Sequence, residues 1–281
     1  MGIRIITDSS ADFDRATAKR RQVEIISMAV QFGNASFLDG KTITNDVINT
    51  LIKEGRENPT TSQPTPAEFL RVFEEAKAAG DQVVAVLISS VLSGTVQSAQ
   101  IAKGMCEYED IYIVDSLSAT AGIQILVNLA CKLRDSGLPA PGIAQELERL
   151  KGRIRIFAVL DTLEYLRRSG RLSGFQAGLG AMTKLKPVIT VRDGAVSIAA
   201  KAFGTSAAVK QLQKFLLQYP VDDAYPSYFL YTDDKEREEL LLPALREQGK
   251  LPLRLHYSSV GPTIGTHIGP GALGMAYIER E

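Results

Sequence analysis

Three short runs of largely apolar, β-branched residues, each ending in a polar turn ahead of a helical stretch, constrain this chain more than any other feature. Ile3–Thr7 ends in Asp8-Ser9-Ser10-Ala11-Asp12, Val83–Ile88 ends in Ser89–Ser93, and Ile111–Val114 ends in Asp115-Ser116. Val83–Ile88 contains no polar residue. A strand of that kind has no face to offer water, so it belongs in a sheet covered by helices on both sides, and such sheets are parallel. Recurrence of the unit predicts a doubly wound α/β arrangement.

The intervening segments agree with that reading. Thr65-Pro66-Ala67-Glu68 predicts a helix start, with Thr65 as cap, Pro66 at the first helical position and Glu68 closing a capping box. That helix runs to Gly80 with Phe69, Val72, Phe73 and Ala76 on its inner face. Val23–Phe32 reads as one strand, or two with a bend. Thr44–Gly55 has helical spacing in Val47, Ile48, Leu51 and Ile52. Further helices are expected from near Gly94 and from about Ser118 to Ser136. After the breaker cluster Leu138-Pro139-Ala140-Pro141-Gly142, one more helix reaches Gly152.

The second half has a different pattern. Ile154–Leu160, Pro187–Val191, Val196–Ala200, Tyr228–Thr232, Leu253–Tyr257 and Met275–Ile278 are candidate strands. Asp193-Gly194 marks a hairpin turn, which makes this sheet mixed. Helices are expected over Thr205–Gln218 and Asp234–Gln248. At roughly 150 residues per domain, 281 residues suggest about two domains. The expected fold is α/β: a three-layer α/β/α parallel-sheet domain over residues 1–152 and a two-layer mixed-sheet α/β domain over residues 153–281.

Composition removes several function classes. Thirty-two Lys plus Arg balance 32 Asp plus Glu, so no basic excess exists to neutralise phosphates and nucleic acid is not an expected partner. The apolar runs are too short to span a bilayer, no signal-peptide pattern opens the chain, and stable membrane insertion is not expected. Two cysteines, Cys106 and Cys131, are too few for a disulfide framework or a metal site. The expected location is cytoplasmic, with no cofactor and no metal.

Common catalytic signatures are missing. Gly269-Pro270-Gly271-Ala272-Leu273-Gly274 matches a dinucleotide-binding string, but only seven residues follow it, too few for a βαβ unit. There is no phosphate loop, no nucleophile elbow and no His-Glu-x-x-His. What remains are hydroxyls and glycines at strand ends, where open α/β sheets bind ligands. Ser93, before Gly94 and Thr95, either caps the next helix or holds an anionic oxygen. Asp8-Ser9-Ser10 and Asp115-Ser116 face the same choice. Thr60-Thr61-Ser62-Gln63-Pro64 needs no capping role, because Thr65 has it. Gly261–Gly271 holds four glycines, two prolines and His267. The imidazole either binds a carboxylate or phosphate, or is held by loop carbonyls. His256, in an alternating strand pattern, reads as structural. Arg167, Arg168 and Arg171 either complement a helix C-terminus or meet an acidic partner.

Together these segments resemble the DegV family. The matching pieces are Ile6–Asp12, Thr61-Ser62-Gln63-Pro64, Ser89–Gln97, Asp115-Ser116, Leu163–Ser173, Lys186-Pro187 and Gly261–Gly274, in order along nearly the whole chain. The resemblance implies a two-domain fold with a long-chain fatty acid, such as palmitate or oleate, held between the domains. It also implies service as the acyl-carrying subunit of a fatty acid kinase, whose separate ATP-binding subunit makes the acyl phosphate for phospholipid synthesis. By position, Thr61 and Ser93 would bind the carboxylate, with Ser62, Gly94 and Thr95 adjacent and Thr266 and His267 in the same network. Arg171 would serve the kinase partner or the head group. Ser169 stands where many relatives carry Gly.

Two other readings compete with this carrier that is not itself a catalyst. One is a stand-alone acyl hydrolase or transferase with Ser93 as nucleophile and His267 as base. The other is a lipid sensor with a regulatory partner.

Overall fold

The computed structural model describes residues 2–54, 59–173 and 185–281. The first half contains β1 (Ile3–Asp8), α1 (Arg15–Arg20), β2 (Val23–Ile26), β3 (Ala29–Phe32), β4 (Ala35–Leu38), α2 (Asn45–Lys53), β5 (Thr60–Ser62), α3 (Pro66–Ala79), β6 (Gln82–Leu87), α4 (Thr95–Cys106), β7 (Ile111–Asp115), α5 (Ala121–Asp135) and α6 (Ala140–Lys151). Strands β2-β1-β6-β7 form a parallel four-stranded sheet in that order.

The apolar run that demanded cover on both faces receives it. Val83, Ala85 and Leu87 of β6 pack with Phe69, Val72, Phe73 and Ala76 of α3 and with Val96, Ala99 and Ala102 of α4. Val84 and Val86 point the other way, into a core with α5 and α6. The period-2 alternation thus splits one apolar strand between two cores. Thr65 caps α3 as expected: Glu68 Oε2 accepts from the Thr65 N–H at 2.7 Å, and the Thr65 hydroxyl accepts from the Glu68 N–H at 3.4 Å.

Val23–Phe32 forms two strands that belong to different sheets. β2 joins the parallel sheet, whereas β3 pairs with β4 and β5 in an antiparallel three-stranded sheet that the sequence reading did not anticipate. Its strands are three or four residues long and largely solvent-facing on one side, too short for a periodic signal. The Gly55 stop expected for α2 lies outside the described residues.

The second half contains β8 (Ile154–Val159), α7 (Glu164–Ser169), β9 (Leu185–Arg192), β10 (Ala195–Phe203), α8 (Thr205–Gln218), β11 (Ser227–Tyr231), α9 (Leu242–Glu247), β12 (Leu255–Ser259), α10 (Pro262–Ile268) and β13 (Leu273–Ile278). The sheet order is β10-β9-β8-β13-β11-β12, antiparallel except for the β11–β12 pair. The β9–β10 hairpin turns at Asp193-Gly194, both with positive φ. The helix expected over Asp234–Gln248 is instead a 3₁₀ segment, Lys235–Leu240, followed by α9; Pro243, in the first turn of α9, lacks the N–H that a continuous helix would use.

Helix α8 covers one face of this sheet through Val209, Leu212 and Leu216 against Phe157, Val188 and Phe229. The opposite face turns toward α5, which packs on both sheets: its Ile123, Ile125, Leu126 and Val127 share one core with Val84 and Val86 of the first sheet and Ile154, Ile156 and Ala276 of the second. A helix apolar around most of its girth fits that shared position. Among the described residues no helix is long and apolar enough to cross a membrane.

Candidate functional site

A cavity of about 390 Å³ lies where the loops after β5, β6 and β7 meet the inner face of the second sheet. Ile156, Ala158, Ile189, Val191, Val196 and Leu230 of the sheet form one wall, with Ile264 and Ile268 of α10 beside them. Met28, Ile88, Leu92 and Ala119 close the other side. The polar members are Thr61, Ser62, Gln63, Ser93, Thr120, Tyr231, Thr263, His267 and Arg171, the last being the single charged residue of the wall among those described. A volume of this size lies within the range of small-molecule sites.

A second, more polar chamber of about 220 Å³ adjoins the first. Thr61, Arg171 and His267 border both, so these three residues stand at the junction. Thr60, Tyr165, Arg168, Ser169 and Thr266 complete the outer chamber. The sequence reading does not single out Tyr165 or Ser169 as site residues and offers Arg168 only as one of three arginines that could meet an acidic partner; α7 turns all three toward groups more than 90 residues away in sequence.

Local chemistry places each group. Thr61 sits on β5, and its Oγ1 lies 2.9 Å from His267 Nε2. Burial drives the His267 pKa down to about 4, and the nearby Arg171 guanidinium pushes it the same way, so the ring is neutral at pH 7. Among the described residues Arg171 bonds to two backbone carbonyls, those of Leu92 and Ser169. No carboxylate pairs with it among the described residues, which leaves its positive charge facing the junction.

Ser93 is not a helix cap. Gly94 occupies that position on α4 and, having no side chain, makes no cap bond. The Ser93 hydroxyl instead lies 2.8 Å from that of Thr95. Thr95 is buried and lines neither chamber. Gln63 explains the glycine: a Cβ at residue 94 would collide with the Gln63 side chain, which is anchored on Ser98 Oγ at 3.1 Å. Thr266 donates to the Pro262 carbonyl at 2.9 Å and reaches only the outer chamber.

Two hydroxyl motifs weighed equally with Ser93 go to structure. Asp8, fully buried, accepts from the N–H groups of Ser10 and Ile88 and from the Ser10 hydroxyl. Asp115 accepts from the N–H groups of Ser90 and Leu117. His256 packs against Tyr228, ring centres 5.5 Å apart, away from the cavity. Ser93 and His267 line the same cavity but hydrogen-bond to other partners, Thr95 and Thr61. Among the described residues no cluster of His, Cys, Asp or Glu is placed to hold a metal ion.

The cavity can thus take an apolar chain and offer neutral donors and one cation to an anionic end. Comparison with known proteins points the same way. A family model described as "Uncharacterised protein, DegV family" matches residues 2–280. A DegV domain-containing protein of Caldanaerobacter subterraneus is 32% identical over 99% of both chains. The structure titled as fatty acid binding of a DegV family protein from Thermus thermophilus superposes with a TM-score of 0.90 at 32% identity, covering 100% of both chains. That of DegV, a fatty acid binding protein from Bacillus subtilis, gives 0.84 at 27%, again over 100% of both. With the family model spanning residues 2–280 and a relative 32% identical over 99% of both chains, this chain belongs to the DegV family.

Proposed function

We propose that this protein binds one long-chain fatty acid, the acyl chain in the larger cavity and the carboxylate at Thr61, Ser93 and His267, and presents it to a separate ATP-binding kinase subunit. The observation that carries the reading is the apolar chamber whose polar members Thr61, His267 and Arg171 open onto a second, polar one. The fatty acid binding stated for the Thermus and Bacillus relatives supports it.

The chemistry is consistent. A carboxylate taken out of water needs several donors, since an unpaired buried charge is very unfavourable. With the proton on His267 Nε2, the imidazole donates to Thr61 Oγ1 and leaves the Thr61 hydroxyl hydrogen free for the anion. Ser93, steadied by Thr95, adds a second hydroxyl, with Ser62 and the Gly94 N–H adjacent and Thr266 on the outer side. Each methylene buried contributes about 0.8 kcal/mol, so the chain supplies most of the affinity. In this reading residues 1–152 carry the carboxylate loops and residues 153–281 cover the chain, and Arg171 serves the kinase side. The protein does no chemistry alone: the Ser93–His267 contact that an acyl hydrolase would use is replaced by the Thr61 and Thr95 bonds.

Native mass spectrometry of the purified protein, with extraction and identification of what is released, tests the reading. One fatty acid per chain is expected. A bare polypeptide mass, unchanged after incubation with oleate and palmitate, overturns it. Labelling of Ser93 by a fluorophosphonate would revive the hydrolase.

A further inference from the structure

The Gly-Pro-rich segment before β13 is a helix, α10, with His267 near its C-terminal end. Its N-cap is Gly261, which has no side chain to satisfy the first-turn N–H groups. The missing acceptor comes from the loop after β4. Asp39 Oδ2 accepts from the Thr263 N–H at 3.2 Å and from the Thr263 hydroxyl, across 224 residues of sequence. Asp39 is 2% exposed and Thr263 2% exposed. The glycine at 261 makes room for Asp12, whose Oδ1 would lie 2.5 Å from a Cβ there; Asp39 Oδ1, at 3.8 Å, would be in ordinary contact.

We infer that Asp39 is a positioning residue of the head-group site: by capping α10 from the first half of the chain, it fixes where His267 meets Thr61. The inference rests on the fatty-acid reading for its ligand, though the contact it describes is independent of any ligand. Thr61 and Asp39 both lie on the small antiparallel sheet or its edge, Thr61 on β5 opposite Val30 and Asp39 just after β4, its N–H bonded to the Met28 carbonyl. One small sheet therefore holds α10 near both ends: Asp39 grips the first turn and Thr61 receives His267 from the last. Both Thr263 donors converge on one oxygen of the Asp39 carboxyl, so a side-chain amide at residue 39 can still accept them.

Two variants separate this role from general support of the fold. Asp39→Ala removes the acceptor; Asp39→Asn keeps one oxygen for both Thr263 donors. Binding of oleate and of the matching long-chain alcohol to the full chain is measured for each. Asp39→Ala is expected to weaken oleate about tenfold and the alcohol less than threefold, with Asp39→Asn restoring oleate binding to within threefold. A ligand-free readout is the titration of the His267 ring by NMR, faced by the Thr61 hydroxyl on β5, by Arg171 and Arg168 at and after α7, and by Tyr165. Its midpoint should rise from about 4 toward the ordinary 6.5 in Asp39→Ala and stay low in Asp39→Asn. Equal loss of oleate and alcohol, or an unmoved His267 midpoint, overturns the inference. Absence of oleate binding in the unaltered protein would sink the fatty-acid reading and leave the His267 titration to decide this one. Should Asp39→Ala fail to fold, Thr263→Val, which removes one of the two donors, carries the same expectations at smaller size.

Discussion

Thr61 Oγ1 and His267 Nε2 lie 2.9 Å apart, although 206 residues separate them in the chain. The bond joins the short antiparallel sheet of the first half to α10 of the second, at the point where the apolar cavity meets the polar chamber. Whatever binds there meets a neutral imidazole and a hydroxyl, not a charged pair.

That neutrality has a pH signature. The His267 pKa is depressed to about 4 by burial and by Arg171, whereas the unfolded ring titrates near 6.5. Between those values the unfolded chain binds the extra proton, so stability is full above about 6.5 and is lost as pH falls toward 4. The shift corresponds to roughly 3 kcal/mol at most. Urea unfolding midpoints of the protein and of His267→Gln, compared from pH 7 to pH 4, should diverge at neutral pH and converge on acidification. Parallel curves would show that the ring has the same pKa folded and unfolded.

Ser93 and Thr65 offer opposite outcomes. Thr65→Ala removes a capping box and should cost about 1 kcal/mol of stability while leaving acyl affinity intact. Ser93→Ala removes no cap, so thermal stability should hold while oleate affinity drops by about 1.5–3 kcal/mol, the worth of a hydrogen bond to a charged group. Differential scanning fluorimetry and a binding titration on the two variants settle the assignment; a destabilised Ser93→Ala with normal affinity would return Ser93 to a structural role.

Chain length should follow the sheet wall. Ile189 of β9 lines the cavity, and Ile189→Phe should shorten the fatty acid accepted. Excluding two methylenes removes about 1.6 kcal/mol, or about 15-fold in affinity. Competition between C14, C16 and C18 acids, read by native mass spectrometry, should shift toward the shorter ligand. An unchanged preference would mean that the acyl tail ends elsewhere.

Among the described residues Arg171 hydrogen-bonds to backbone carbonyls alone, so Arg171→Ala should leave the fold intact. Removing its charge should raise the His267 midpoint, since Arg171 is the second cause of its depression. In an assay with ATP and the kinase partner, turnover should fall more than oleate affinity. Equal falls in both would put Arg171 on the carboxylate.

Much of the fold is legible in local pattern. Val83–Ile88 demands cover on both faces, Thr65-Pro66-Ala67-Glu68 starts α3, and Asp193-Gly194 turns the β9–β10 hairpin; each rests on residues within one element, where backbone sterics and side-chain period act directly. The small sheet of β3, β4 and β5 is not legible, since its strands are too short to repeat a period. Nor is α10: Pro262 suits a first helical position, but seven residues with Gly265 inside and Gly261 and Gly269 at the ends leave no helical period to read.

At the site the division runs along the same line. Thr61, Ser93 and His267 stand out in sequence as hydroxyls and a rare histidine in glycine-rich or strand-end settings. Which of several such groups face the cavity was decided only by tertiary structure. Asp8 and Asp115 carry the same local signature as Ser93, yet their acceptors are consumed by neighbouring N–H groups. The sequence alone determined the longer elements, such as β6, α3 and the β9–β10 hairpin, and the supply of donors, because those depend on interactions a few residues apart. Tertiary structure decided the pairing of Thr61 with His267 and of Asp39 with Thr263, because a hydrogen bond between groups more than 200 residues apart leaves no period or spacing in the chain that makes it.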